Sequence, residues 1–161
     1  MCLMVYLGTD KPVPGFSDVA IGAIGLDPDV GSLPEALKGK KVVRRVCDRT
    51  PVGWNCSCVF IDQVLPWEAD KGDDPNDPET PIRAAAYADL ARIAAAAVAV
   101  DPDALVFSCW AGDEGRAPQI ERELGPSDIR PARYIFDDIT DTGSAGNPPV
   151  LVRLKAERAD G

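Results

Sequence analysis

The fold is decided by residues 80–100, which read TPIRAAAYADLARIAAAAVAV. Thr80 offers a hydroxyl N-cap and Pro81 stands at the first helical position, where a missing N–H costs nothing. Apolar residues then recur every three or four positions, the spacing of one helix face. They are Ile82, Ala86, Leu90, Ile93, Ala97 and Val100. The stretch predicts one long helix ending before Asp101-Pro102, and its many alanines let a sheet approach closely.

Apolar segments flank this helix on both sides. Residues 42–48 and 56–64 precede it and residues 104–109 follow it, and all three stretches are rich in strand-forming residues. A strand, a long helix and a strand in this order predict a crossover that returns to the same sheet. We therefore predict one domain over residues 1–161, of the α/β or α+β class, with a mixed β-sheet and the long Ala-rich helix packed on it.

The remaining elements are assigned from composition and turn signals. Strands are predicted at 2–8, 56–64, 134–136 and 150–154, and the segment at 19–26 fits either a bulged strand or a packed loop. The strand at 56–64 is expected to lie antiparallel to the one at 42–48. Short helices are predicted at 33–38, with Ser32 and Glu35 as a capping box, and at 118–124.

The composition narrows the classes of function. With 161 residues, 45% of them hydrophobic, the chain can bury a core without disulfides or metals. The formal net charge of −9 repels phosphate backbones and anionic lipid headgroups, so neither nucleic acid nor a membrane surface is expected as a partner. The chain contains no histidine, which removes Ser-His-Asp and Cys-His catalysis and every Cys/His zinc finger. Whether a protein or a small ligand binds is left open.

Location and flexibility follow from the same composition. No apolar run reaches the roughly 20 residues that span a bilayer, and no basic leader precedes the first strand, so a cytoplasmic location is expected. The five cysteines are then expected to be reduced thiols rather than a disulfide framework. Residues 68–79 are rich in Asp and Glu and interrupted by Gly and Pro, which predicts a flexible acidic loop, and the tail at 156–161 is predicted to fray.

Two cysteines one residue apart, Cys56 and Cys58, begin the predicted strand at 56–64. Side chains alternate along a strand, so these two thiols are expected on the same side while Ser57 points away. That geometry suits a metal or a redox pair. Free cysteine also packs readily as a small hydrophobe, which is the reading favoured for Cys47.

Cys109 ends the strand after the long helix and is followed by Trp110, Asp113 and Glu114. Ligands gather beyond the carboxyl ends of strands in open α/β sheets, so this loop is a candidate site. An apolar lid formed by Trp110 and a solvated acidic turn would explain the same residues.

Cys2 offers a further possibility at the other end of the chain. Removal of Met1 would leave an N-terminal cysteine whose amine acts as the base for its own thiol.

Contact between the first strand and the central strands would bring together four thiols, those of Cys2, Cys56, Cys58 and Cys109.

Three separate islands of this sequence resemble the marks of a family of small uncharacterised bacterial proteins. The islands are Met1-Cys2 with Tyr6-Leu7 and Asp10, Cys56-x-Cys58 followed by Phe60, and Cys109-Trp110-x-Gly112-Asp113-Glu114. The family is richer in glycine around its second mark, where this chain has Asn55 and Ser57. The resemblance implies which residues to examine and implies no particular activity.

Three functions stay open at this point. A thiol-based metal-binding or redox-sensing module would use the four gathered thiols, which suit zinc or an iron–sulfur cluster, and the identity of the cofactor is unknown. An acidic protein-interaction domain would use its cysteines only for packing. An enzyme would use a cysteine nucleophile or a redox cysteine pair, helped by Asp113 or Glu114. The first is ranked ahead of the second, and the enzyme last.

Overall fold

The computed structural model describes residues 2–16, 23–48, 57–60, 79–131, 135–136 and 148–157. Within these ranges one helix, α1 (Glu79–Val100), packs on a six-stranded mixed sheet. The strands are β1 (Leu3–Thr9), β2 (Ile24–Asp27), β3 (Val42–Asp48), β4 (Leu105–Trp110), β5 (Ile120–Leu124) and β6 (Val150–Leu154). The predicted class is confirmed, in its α+β form.

The sheet has the strand order β2-β3-β1-β4-β6-β5. β1 pairs antiparallel with β3 on one side and with β4 on the other. β3 and β4 are therefore parallel to each other, and the chain passes from one to the other through α1. The predicted crossover to the same sheet is present, but it starts from β3 and not from the stretch at 56–64 that comes directly before the helix. At the edges, β2 pairs antiparallel with β3, and β5 pairs parallel with β6.

The alternation of side chains along β1 separates two faces of the sheet. Leu3, Val5 and Leu7 lie on the face that α1 covers, which we call the helix face, together with the buried α1 residues Leu90 and Ile93. The opposite side, the back face, has a smaller cluster. Its buried members are Met4, Tyr6, Leu37, Phe107, Cys109 and Leu151.

The back face is covered in part by a 3-10 helix of one turn at Glu35–Leu37. The predicted helix at 33–38 is thus shorter, and the Ser32 capping box is wrong because Pro34 occupies the N-cap with no side-chain hydrogen bond. The Glu35 carboxylate forms an ion pair with Lys38 instead. Gly8 lets this turn approach the sheet, because a Cβ there would lie 3.0 Å from a Leu37 methyl carbon.

The helix predicted at 118–124 is wrong, because residues 120–124 form strand β5. Half-buried Ile120, Arg122 and Leu124 alternate with exposed Glu121 and Glu123. That period of two is the strand pattern, and parallel pairing with β6 outweighs the weak helix preference of glutamate.

The strand predicted at 56–64 is also wrong where the structure describes it, since Cys58–Phe60 form a 3-10 turn. The Phe60 N–H donates to the Ser57 carbonyl at 3.1 Å, which closes the turn. β3 consequently pairs with β1 and β2 rather than with this segment. The turn buries Phe60 against Tyr87 of α1, with ring centroids 5.2 Å apart, so tertiary packing overrides the strand composition.

Two other predicted segments also differ from expectation or are only partly described. Ile135 and Phe136 form a buried turn instead of a strand, and Phe136 packs on Phe60 at 5.6 Å between ring centroids. Of the segment at 19–26, residues 24–26 belong to β2 and residues 19–22 lie outside the described ranges. Most of the acidic loop at 68–79 also lies outside them.

The C-terminal tail, predicted to fray from residue 156, is held at Glu157. Its carboxylate accepts hydrogen bonds from the Ser127 backbone N–H at 2.6 Å and from the Ser127 hydroxyl at 3.1 Å.

In the described part of the chain, no helix has the length and hydrophobicity needed to span a bilayer.

An ion pair joins the two faces where β1 ends. Lys40, which follows the back-face turn, donates to a carboxylate oxygen of Asp101 at 3.0 Å, and Asp101 follows the last residue of α1. The backbone N–H groups of Asp10 and Asp103 donate to the same carboxylate. Burial alone would raise the pKa of Asp101, but the Lys40 contact and the two amides outweigh it, so the pKa is lowered.

Candidate functional site

The first residues of β1 lie between two cysteine-bearing segments. On the β3 side, the Ser57 N–H donates to the Leu3 carbonyl at 2.9 Å. On the β4 side, the Ala111 N–H donates to the Cys2 carbonyl at 2.9 Å. We call this region, residues 2–4 with the flanking residues 57–58 and 109–111, the thiol end of the sheet. The backbone thus brings three of the four cysteine-bearing segments of the sequence to one place.

Ser57 is inserted between two paired strands at this end. Val5 and Val46 stand opposite each other in the β1–β3 ladder. The Val5 N–H donates to the Ser57 hydroxyl at 2.8 Å, and that hydroxyl donates to the Val46 carbonyl at 2.5 Å. The hydroxyl therefore connects the last paired residues of β1 and β3, beyond which the two strands separate. The same two hydrogen bonds hold the segment that contains Cys58 in place.

Cys2 and Cys109 are diagonal neighbours across the β1–β4 ladder. Cys109 pairs directly with Met4, and Leu3 pairs with Trp110. The Ala111–Cys2 hydrogen bond extends the ladder by one residue, so the alternation puts Cys2 on the same face as Met4 and Cys109. Diagonal neighbours of this kind are separated by roughly 7–8 Å. Cys2 is exposed, whereas Cys109 is fully buried.

The environment of Cys109 favours the neutral thiol. Burial, and then the negative charges of Glu114 and Asp113, raise the pKa of Cys109 to about 12. A nucleophilic cysteine requires the opposite shift, because the thiolate is the reactive form. In this arrangement Cys109 is an inert thiol unless a nearby positive charge stabilises its anion.

Glu114 fastens the loop after β4 to the back face. Its carboxylate accepts from the Tyr6 phenol at 3.2 Å and from the Gly112 N–H at 2.9 Å, and its carbonyl accepts from the Glu35 N–H at 2.9 Å. Tyr6 is fully buried in β1. Burial, and then the charge of Glu114, raise the pKa of the Tyr6 phenol well above its usual range, so Tyr6 acts as a donor.

The other residues of the predicted supporting loop point elsewhere. Trp110 lies on the helix face, where it packs against the main core, so it does not cover Cys109. Asp113 forms an ion pair with Arg116 at 2.9 Å within the loop. Of the three predicted loop residues, Glu114 is therefore the one with a direct contact to the back face of the sheet.

Cys47 lies apart from the thiol end. It stands in β3 opposite Gly25, is fully buried, and its thiol lies 3.9 Å from the Arg45 carbonyl. This placement agrees with a packing role.

The predicted four-thiol site is only partly described. Cys56 lies outside the described residues, and of Cys58 the structure describes the backbone turn alone. Among the residues that the structure does describe, no three Cys, Asp or Glu side chains are grouped closely enough to hold a metal ion. A metal site at the thiol end would therefore have to be completed by Cys56 and Cys58.

Two residues of this region make contacts that the sequence did not predict. Ser57 was expected to point away from the site, yet it makes three of the hydrogen bonds that hold the segment. Tyr6 contributes the donor to Glu114. A polar hydroxyl within an otherwise apolar segment is the signal that each residue carried.

Comparison of the chain with protein-family models, with curated proteins and with solved structures found no match.

Proposed function

We propose that this chain is a thiol-based metal-binding or redox-sensing module whose site is formed by Cys2, Cys56, Cys58 and Cys109. One observation carries the proposal: the start of β1 is hydrogen-bonded on one side to Ser57, the residue between Cys56 and Cys58, and on the other to Ala111, two residues beyond Cys109. The three marks of the family that the chain resembles are the three segments that meet there.

The geometry favours the metal-binding version over a Cys2–Cys109 disulfide. A disulfide requires Cα atoms about 4.4–6.8 Å apart, less than the roughly 7–8 Å typical of diagonal neighbours. Two thiolates on one zinc ion are joined through two bonds of about 2.3 Å, which spans a greater distance than one S–S bond. A cation would also stabilise the anion of Cys109, whose pKa is raised in its absence.

A second candidate is the acidic interaction domain with structural cysteines. The full burial of Cys109 and Cys47 favours it, because buried free cysteine behaves as a small hydrophobe. The enzyme alternative is supported less, since the raised pKa of Cys109 opposes its use as a nucleophile. Of the cysteines whose side chains the structure describes, Cys2 is the exposed one.

Metal content separates these candidates. Protein purified without chelator and then incubated with Zn²⁺ is expected to retain zinc stoichiometrically after gel filtration, measured by elemental analysis. Serine variants of Cys2, Cys56, Cys58 and Cys109 should each lower the retained zinc, whereas the matched control Cys47→Ser should not. Folded wild-type protein that retains no metal would reject the metal-binding version.

The redox version has its own readout. Intact mass and free-thiol titration before and after mild oxidation would detect a disulfide that includes Cys56 or Cys58. If zinc is not retained and no disulfide forms reversibly, the structural-cysteine candidate is preferred.

A further inference from the structure

The back face near Cys109 has a cover made of two parts. One part is the turn at Glu35–Leu37, and the other is the loop at residues 111–116 that follows β4. The Glu35 N–H joins them by its bond to the Glu114 carbonyl. Leu37 of the turn belongs to the same buried cluster as Cys109, and Glu114 lies close enough for its charge to act on the thiol.

The loop half of this cover is held by polar contacts rather than by apolar packing. Ala111, Gly112, Gly115 and Arg116 are exposed. Internal hydrogen bonds close the loop on itself, from Asp113 to the Trp110 carbonyl and from Arg116 to the Asp113 carbonyl. Its side-chain attachment to the sheet is the hydrogen bond from Tyr6 to Glu114 at 3.2 Å. Segments with few buried apolar contacts open locally at low free energy.

We propose that Tyr6 and Glu114 form a latch that holds the cover over Cys109 and so controls access to its thiol. This inference rests on the proposed function and adds to it a contact that regulates the same site. Opening of the latch exposes Cys109 without unfolding α1, because α1 packs on the opposite face.

The direct test is Tyr6→Phe, which removes one hydroxyl and keeps the ring. Native protein is alkylated with iodoacetamide, and the modification of each cysteine is followed by peptide mass spectrometry. Cys109 is expected to react about five-fold faster in the variant, which corresponds to the loss of about 1 kcal/mol of hydrogen-bond stabilisation.

Two controls separate the latch from a general loss of stability. Tyr87→Phe removes a comparable buried hydroxyl on the helix face, where it donates to the Phe60 carbonyl, and should leave the Cys109 rate unchanged. Cys47 is an internal reference in every sample, because it is equally buried but lies two strands from Cys109. Its rate should not change in Tyr6→Phe.

A second pair of variants tests the latch from the other partner. Glu114→Ala removes the acceptor from a half-buried loop position and should raise the Cys109 rate at least as much as Tyr6→Phe. Glu114→Gln also removes the charge that raises the pKa of Cys109, but it retains an oxygen acceptor, so it should raise the rate less. The difference between these two uncharged variants reports the hydrogen bond and keeps the test valid even if Tyr6→Phe does not fold.

Equal Cys109 rates in wild type and Tyr6→Phe, or equal rates in Glu114→Ala and Glu114→Gln, would overturn the latch. So would a parallel rise at Cys109 and Cys47, because that pattern indicates global unfolding. Failure of the latch leaves zinc retention and disulfide formation in the wild type unaffected. Conversely, a working latch in a protein that retains no zinc and forms no disulfide would reject the proposed function alone.

Discussion

The helix face of the sheet is filled mainly by aliphatic and aromatic side chains, whereas the back face holds a buried phenol, Tyr6, and a buried thiol, Cys109, near the carboxylates of the loop after β4. On the helix face, α1 contributes Leu90, Ile93 and the small residues that let it approach closely. On the back face, the buried cluster is smaller and its cover is a short turn and a loop.

This difference separates stability from chemistry. Apolar burial is non-directional and tolerates small movements, so the helix face can hold the fold together regardless of the back face. The back face relies on hydrogen bonds from Tyr6 and Glu35 to Glu114, which are directional and can be broken one at a time. A controllable thiol is therefore better placed on the back face.

The largest expected difference between the faces is in the cost of removing one leucine. Leu90→Ala on α1 is expected to lower the free energy of unfolding by about 3–4 kcal/mol, because the helix and the sheet cannot close around the cavity. Leu37→Ala should cost less, about 2 kcal/mol, because the short turn can move into the space. Urea unfolding followed by circular dichroism measures both. Equal costs would mean that the back face is packed as rigidly as the helix face.

The next comparison uses two fully buried serines. Ser57→Ala leaves the Val5 N–H and the Val46 carbonyl without their partner, and is expected to cost about 2–3 kcal/mol. Ser108 in β4 is its matched control, because its hydroxyl finds no hydrogen-bond partner within the described ranges. Ser108→Ala should therefore be neutral or slightly stabilising in the same unfolding assay. A large loss at Ser108 would show that its hydroxyl is bonded after all.

The helix and the strands that form the helix face were the part of the fold that the sequence predicted best. The period of apolar residues in α1 and the runs of strand-forming residues in β1, β3, β4 and β6 are local signals, and those elements formed close to the expected bounds. The helix predicted at 118–124 rests on Pro118 and Gly125-Pro126 as start and stop signals. The alternation of Ile120, Arg122 and Leu124 within it is the local signal of the strand that forms.

The candidate site was less open to prediction, because its geometry depends on contacts between distant residues. The sequence identified Cys2, Cys109 and Glu114 as residues to inspect, and the register of β1 with β4 brings the two cysteines near each other. The role of Ser57 depends on the separation of β3 from β1, which no local pattern encodes. The Tyr6–Glu114 bond joins residues 108 positions apart for the same reason.

The ion pair that joins the two faces gives the third prediction. Lys40→Met is expected to cost about 2 kcal/mol near neutral pH, because it leaves the Asp101 carboxylate buried without its cation. Since the folded-state pKa of Asp101 is lowered, its contribution is complete above the unfolded value of about 3.9 and is lost as the pH falls through the folded value.

The pH dependence is the control for this pair. Wild type should lose more stability than Lys40→Met between about pH 5 and about pH 2, because the variant keeps the two amides but has already lost the Lys40 contact that lowers the pKa of Asp101. Unfolding free energies measured at several pH values test this. Parallel pH profiles for the two proteins would contradict the assignment to Asp101.

The smallest effect should come from a glycine in the cover. Gly112 has a φ of +98°, which side-chain-bearing residues rarely adopt, so Gly112→Ala should cost about 1 kcal/mol and should also speed alkylation of Cys109. Gly39, just beyond the turn half of the cover, is the matched control. A Cβ meets nothing within 4 Å at either position, but Gly39 does not have a positive φ, so Gly39→Ala should be neutral or slightly stabilising. If both glycines tolerate alanine equally and the Cys109 rate is unchanged, the loop conformation at Gly112 does not contribute to the cover, and the turn at Glu35–Leu37 alone protects the thiol.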